Sequence, residues 1–170
     1  MESAGVLSSG KHVPCHGDTE VDSHHDMPLI PFSRERLDSL ELYPFKKLIN
    51  EGLSSVMVAH LEVPSMELKK GLPSSLSEQI ISGILKEQLG FEGLVFTDAL
   101  NMQGVAKFGT EGAVALAAFN AGNDILLMPQ NVEEAKNLLI KNYNRGRITE
   151  ARLAHSVKKI LMAIKVLLHI

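Results

Sequence analysis

Gly93-Leu94-Val95-Phe96-Thr97-Asp98-Ala99-Leu100-Asn101-Met102 sets a carboxylate directly behind a short apolar run. Leu94-Val95-Phe96, introduced by a glycine, suits a strand buried on both faces. In a parallel α/β protein the C-terminal strand ends form the rim where ligands bind, so Asp98 is a candidate for chemistry. The competing reading is that Asp98 caps the helix after it.

Working outward, the same design recurs. Ser54-Ser55-Val56-Met57-Val58-Ala59-His60 reads as a buried strand with His60 at its C-terminal end. Val6 to Ser9 is a first short strand stopping at Gly10, and Asp124-Ile125-Leu126-Leu127-Met128 is a fourth, closed by Pro129. Helical periodicity separates them. Leu37, Leu40, Leu42, Phe45, Leu48 and Ile49 follow Arg34, and Gly52 stops that helix. Ser77 caps a second, whose apolar face is Ile80, Ile81, Ile84, Leu85 and Leu89, with Gly90 beyond. An alanine-rich helix from Glu111 to Ala121 stops at Gly122. Val132 to Tyr143 is the next, and Thr149 caps the last, with Leu153, Val157, Ile160, Leu161, Ile164 and Leu168 on one face.

Four strand-then-helix units predict an α/β fold with a parallel sheet. Right-handed crossovers put all four strand ends on one rim, bringing Lys11, His12, His60, Asp98 and Met128 together. Such convergence favours the chemical reading of Asp98 over the helix cap. Four units make half of a (β/α)₈ barrel, and half a barrel leaves two unpaired edges. The expectation is therefore that residues 1–170 are the C-terminal half of a barrel, a fragment or a half that pairs with something.

Composition narrows the partners. The chain has 170 residues, 45% of them hydrophobic, and a net charge of -3, which is enough for one core and offers no basic face to nucleic acid. Cys15 is the only cysteine, so no internal disulfide forms and nothing indicates an oxidising compartment. The first residues lack the basic region and apolar core of a signal peptide, which makes the cytoplasm the default location. Ile160 to Ile170 is apolar but short and broken by Lys165, so no membrane span is expected.

Between the first strand and the first helix, Lys11 to Pro31 has no apolar periodicity and holds His12, His16, His24, His25, Asp18, Asp22 and Asp26. Ordered loops this long are usually functional. Gly10-Lys11-His12-Val13-Pro14-Cys15-His16-Gly17-Asp18-Thr19, then Asp22-Ser23-His24, resembles the signature loop of glycoside hydrolase family 3, in its β-N-acetylhexosaminidase branch. That loop usually reads K-H-F-P-G-H-G-D-T followed by D-S-H. Val56 to His60, Leu94 to Met102 and Ala121 to Pro129 resemble the next signatures, in the family's order.

The resemblance implies the second half of a (β/α)₈ catalytic barrel, roughly strands five to eight. It implies retaining removal of terminal β-linked N-acetylglucosamine-type sugars, often from peptidoglycan fragments, with no cofactor. By that match Asp98 is the nucleophile, Asp22 and His24 are the acid/base dyad, and Lys11 and His12 hold sugar hydroxyls. His60, Asn101 and Met102 are further substrate-binding candidates. Retention needs a carboxylate beneath the anomeric carbon and an acid above the leaving oxygen. Histidine suits the second task, because an ordinary pKa of about 6.5 lets one group donate and then accept a proton.

Alternatives stand beside these roles. His12 and His16 could be metal ligands, although no zinc-type spacing is evident and no metal is expected. His60 could be a hydrogen-bonded core histidine, and Asn101 could bond the rim backbone. Cys15 replaces the usual glycine and Val13 the usual phenylalanine. If that glycine had positive φ, cysteine would cost on the order of 1 kcal/mol. The alternative function is an inactive, self-associating half-barrel, held through its open edges and uncovered sheet face.

Overall fold

A computed structural model of the chain describes residues 4–16 and 27–168. Asp22 and His24 lie outside the described residues.

Three parallel strands form one sheet in the order β1-β2-β3: β1 is Ser9–Val13, β2 is Ser55–Val58 and β3 is Leu94–Thr97. Lys11, Met57 and Phe96 stand in register across it. The first strand lies later than Val6 to Ser9, so Lys11 and His12 are inside it rather than behind it. Its pairing shifts at His12, from Lys11 opposite Met57 to Val13 opposite Val58. An extra residue of this kind bends a strand and re-aims a side chain.

The expected fourth strand is reduced to one parallel bridge, Phe96 to Ile125. Asp124 to Leu127 does run beside β3, with Thr97 N–H donating to Ile125 O at 3.0 Å. The next rung is not backbone to backbone. Leu127 N–H donates instead to the Thr97 hydroxyl at 2.9 Å, and Met128 at φ 45° turns the chain away. The ladder is therefore broken where an apolar run alone predicts a strand.

Helix α1 begins at Ser33, whose hydroxyl accepts the Arg36 N–H. Ordinary turns at Arg34–Arg36 and Leu42–Asn50 flank Leu37–Glu41, where wider winding puts Leu42 N–H on Leu37 O. Helix α2, Gln79–Gln88, is similarly wide, and Leu89 N–H closes on Ile84 O at 2.9 Å. Ser77 caps it as expected, accepting Ile80 N–H at 3.1 Å. A four-residue helix α3, Gln103–Ala106, has no counterpart in the sequence reading. Helix α4, Glu111–Ala121, starts on the Thr110 hydroxyl and stops at Gly122 with φ 119°. A Cβ on Gly122 would come within 2.7 Å of Ser82 Oγ, so glycine both reverses the chain and lets α4 meet α2. Helices α5, Val132–Asn144, and α6, Glu150–Leu168, complete the described chain.

The core fills the helix-facing side of the sheet. Val56, Val58 and Val95 meet Leu37 and Leu42 of α1 and Ile80, Ile81, Ile84 and Leu85 of α2, all essentially inaccessible. Burying each of these side chains contributes about 1.5–3 kcal/mol. A second cluster, with Leu100, Val105, Val114 and Ala118, lies beneath the turn that follows β3 and supports it. The other sheet face, with Ser55, Met57, Leu94 and Phe96, opens into a cleft of about 1030 Å³ walled by α6. On α6, Val157, Leu161, Met162 and Leu168 remain exposed. No described helix is long and apolar enough to cross a membrane.

Candidate active site

Parallel pairing puts the ends of β1, β2 and β3 on one rim, and β3 delivers Asp98 one residue past its end. The backbone around Asp98 is pinned on both sides. Its own N–H donates to Val58 O at 2.9 Å, and Leu100 N–H donates to Leu127 O at 2.9 Å. The carboxylate is half-buried and divided in its contacts. Oδ1 accepts Ala99 N–H at 2.8 Å, while Oδ2 lies 3.8 Å from His12 Nε2. Asp98 does not cap a helix, because the next one, α3, begins at Met102 without a side-chain cap.

His12 reaches Asp98 from the irregular end of β1. Burial of its ring lowers its pKa, Asp98 partly offsets this, and Lys11 and His16 add to the lowering. The imidazole is therefore biased to its neutral form, able to hydrogen-bond a hydroxyl without cancelling the charge on Asp98. Its ring stands edge-on to His16 at 5.4 Å between centroids. Among the described residues, no group of three or more His, Cys, Asp or Glu side chains comes together as metal ligands would. Cys15, although it replaces the family's glycine, does not take a left-handed backbone conformation; Met128 is the residue other than glycine that does so among those described.

The remaining candidates separate. Lys11 is exposed on the same sheet face as Met57 and Phe96. Asn101 is exposed beyond Asp98, its carbonyl accepting from Gln130 Nε2 at 3.4 Å, and Met102 is partly exposed beside it. His60 differs from all of these. It is 0% exposed, with Nδ1 2.6 Å from Ser75 Oγ and Nε2 3.1 Å from Ala99 O. Both ring nitrogens are thus taken by the protein, as in the core-histidine alternative, which leaves none for a sugar hydroxyl. A carbonyl can only accept, so Nε2 carries the proton and Nδ1 accepts from Ser75. Burial is the main cause of its lowered pKa and keeps the ring neutral.

A strand apart from this rim lies a second polar cluster that sequence reasoning did not single out. Asp124 Oδ2 accepts Val95 N–H at 3.1 Å and Lys159 Nζ at 2.7 Å, and Oδ1 accepts the Ser156 hydroxyl. Arg152 lies 3.8 Å from Oδ1 and donates to the carbonyls of Phe119 and Asn123 at 2.9 and 2.6 Å. Burial works to raise the Asp124 pKa, but the Lys159 and Ser156 hydrogen bonds outweigh it and hold the carboxyl below its ordinary value. Nearby Lys86 is pushed down to about 8, chiefly by burial. The one visible signal was spacing: Arg152, Ser156 and Lys159 share a face of α6 at helical intervals.

The model of the glycosyl hydrolase family 3 N terminal domain matches residues 1–163. This chain belongs to glycosyl hydrolase family 3. The family 3 chain is 40% identical over 139 residues to a β-hexosaminidase of Nitrosospira multiformis, covering 82% of itself and 39% of that protein. It is 38% identical over 139 residues to β-hexosaminidase A of Pseudoalteromonas piscicida, covering 76% of itself and 23% of the relative. Among solved structures, it superposes on a family 3 β-N-acetylglucosaminidase from Paenibacillus sp. with a TM-score of 0.93 at 40% identity. That superposition covers 98% of this chain and 32% of the other. LpqI of M tuberculosis superposes with a TM-score of 0.86 at 28% identity, over 95% of this chain and 48% of that one. The family 3 chain thus spans less than half the length of each of these relatives.

Proposed function

We propose that this chain is the half-barrel bearing the nucleophile and acid/base residues of a retaining β-N-acetylglucosaminidase, completed by further βα units. The observation that carries the proposal is the posture of Asp98: a rim carboxylate with one oxygen fixed by Ala99 N–H and the other directed toward His12. The names of the relatives support the sugar, with peptidoglycan fragments as one source of such glycosides.

In this reaction Asp98 Oδ2 attacks the anomeric carbon as the bond to the aglycone oxygen breaks, and His24, with Asp22 as its partner in the acid/base dyad, gives that oxygen a proton. Water then attacks the glycosyl ester, returns a proton to His24 and frees Asp98. Lys11 and His12 hold sugar hydroxyls over the nucleophile, and Asn101 and Met102 shape the entrance. The Ala99 N–H holds Oδ1 in place, so Oδ2 does not have to reorient before attack.

The test is to join this chain to the part of the Nitrosospira relative that it does not cover and measure hydrolysis of an aryl N-acetylglucosaminide. A folded chimera without activity overturns the proposal. In the active chimera, His24→Ala should lose about 10²- to 10⁴-fold on alkyl glycosides and far less on dinitrophenyl glycosides, whose leaving groups need little protonation. Equal loss on both removes His24 from the donor role.

A second reading has its own support. The apolar cleft and the exposed α6 face favour self-association of the chain alone. Sedimentation at micromolar concentration decides it, and a monomer that unfolds cooperatively contradicts it.

A further inference from the structure

His60 is costly to bury and unnecessary as mere filling. An aliphatic side chain would occupy the space without desolvating two nitrogens. Its two bonds instead join segments that the sheet does not connect: the short turn Ser74–Leu76 and the turn after β3. The chain of contacts continues on both sides. Asn123 Nδ2 donates to Ser75 O at 2.8 Å, and Ser74 Oγ donates to Ala59 O, the residue before His60, at 2.6 Å. His60, Ser74, Ser75 and Asn123 are all completely buried. At the other end, Ala99 is the residue whose N–H fixes Asp98 Oδ1.

We propose that His60 is a positioning residue for the nucleophile: with Ser75 and Asn123 it forms a buried relay that clamps Ala99, and through Ala99 sets where the Asp98 carboxylate points. The relay needs a neutral ring of one tautomer, since Ala99 O requires a donor and the Ser75 hydroxyl then requires an acceptor. It touches no substrate. Its effect lies in geometry: a nucleophile displaced by about 1 Å can cost about 10²-fold in rate. This inference rests on the proposed role of Asp98, and its test separates the two.

The geometric part is tested on the chain as it stands. Nitrogen-15 NMR of the His60 ring should show a neutral, Nε2-protonated imidazole in the folded chain near neutral pH. A charged ring, or the opposite tautomer, overturns the relay. The catalytic part uses the chimera described above. His60→Ala should lower kcat by about 10²-fold with KM changed by less than about threefold. His60→Gln, which can still donate to Ala99 O, should recover about tenfold of that loss, and Ser75→Ala should lie between Gln and wild type. Rates are normalised to the folded fraction from thermal melts, so if His60→Ala does not fold, the Gln and Ser75 variants decide. Asp98→Asn runs in parallel. If it keeps activity, the nucleophile assignment fails whatever His60 does. If it is inactive while the folded His60 and Ser75 variants match wild type in kcat, the positioning role is overturned.

Discussion

Two aspartates are tied to the same strand and are used in opposite ways. Asp98 extends β3 at its C-terminal end, with one oxygen on a backbone amide and the other 3.8 Å from a histidine biased to be neutral. Asp124 grips β3 near its start through Val95 N–H, and Lys159, Ser156 and Arg152 surround what remains of its carboxylate. The first carboxylate is held but left with bonding capacity to spend. The second is saturated, and its charge serves to fasten α6 and the α4 end to the sheet. A charge at the rim of a parallel sheet is available for a reaction, whereas the same charge at the opposite end is absorbed by structure.

The comparison breaks most sharply at Asp98. In the active chimera Asp98→Asn should lose roughly 10⁴-fold or more in kcat, because the amide cannot form the glycosyl ester. The melting temperature of the same variant should barely move. A large loss of stability there would make Asp98 a second Asp124.

Asp124→Ala should show the reverse pattern. It leaves Lys159 and Arg152 without their carboxylate and should destabilise by about 3–5 kcal/mol in urea unfolding. Acid should reproduce part of that loss. A carboxyl whose pKa is depressed by folding contributes stability that is present above its unfolded value, about 3.9, and is lost as pH falls through the folded value. The acid-induced drop below about pH 4 should therefore shrink in Asp124→Ala, and an unchanged acid transition would remove Asp124 from the clamp.

The smallest effect belongs to Lys86. Its pKa of about 8 lies below the ordinary lysine value of about 10.4, so the unfolded chain binds more protons between those limits and stability gains from this group as pH rises through them. The change in urea midpoint from about pH 7.5 to about pH 9.5, roughly the lower part of that window, should be more positive in wild type than in Lys86→Met. Equal differences would show that Lys86 titrates as a solvated lysine.

Much of this arrangement was legible in the sequence, for local reasons. Strands β2 and β3 announce themselves as unbroken apolar runs, and α4 carries its stop signal, Gly122, directly behind its last helical residue. Helix α3 did not, because Gln103–Ala106 is one turn with an internal glycine and no capping side chain. The fourth strand misled for a subtler reason: Ile125-Leu126-Leu127 is as apolar as β3, and only the Thr97 hydroxyl and the Met128 backbone show why pairing stops. At the site, a rim position for Asp98 followed from one motif. For His60 the core alternative was open but its partners were not legible, since Ser75 is 15 residues away and Asn123 lies 48 residues beyond Ser75. Contacts at that separation are written by the fold and leave no period to read.

The hydroxyl of Thr97 has a meaning for how this sequence can drift. At that rung a side chain impersonates a carbonyl, so part of the backbone's own bonding has been handed to a residue that mutation can remove. The neighbouring valines can exchange with other aliphatics at modest cost, because packing asks only for volume and shape. Thr97 cannot follow them: valine has the same outline but strands the Leu127 N–H. An aliphatic substitution at this position therefore costs a hydrogen bond that the valines do not carry, a polar constraint inside an apolar strand that hydropathy does not reveal.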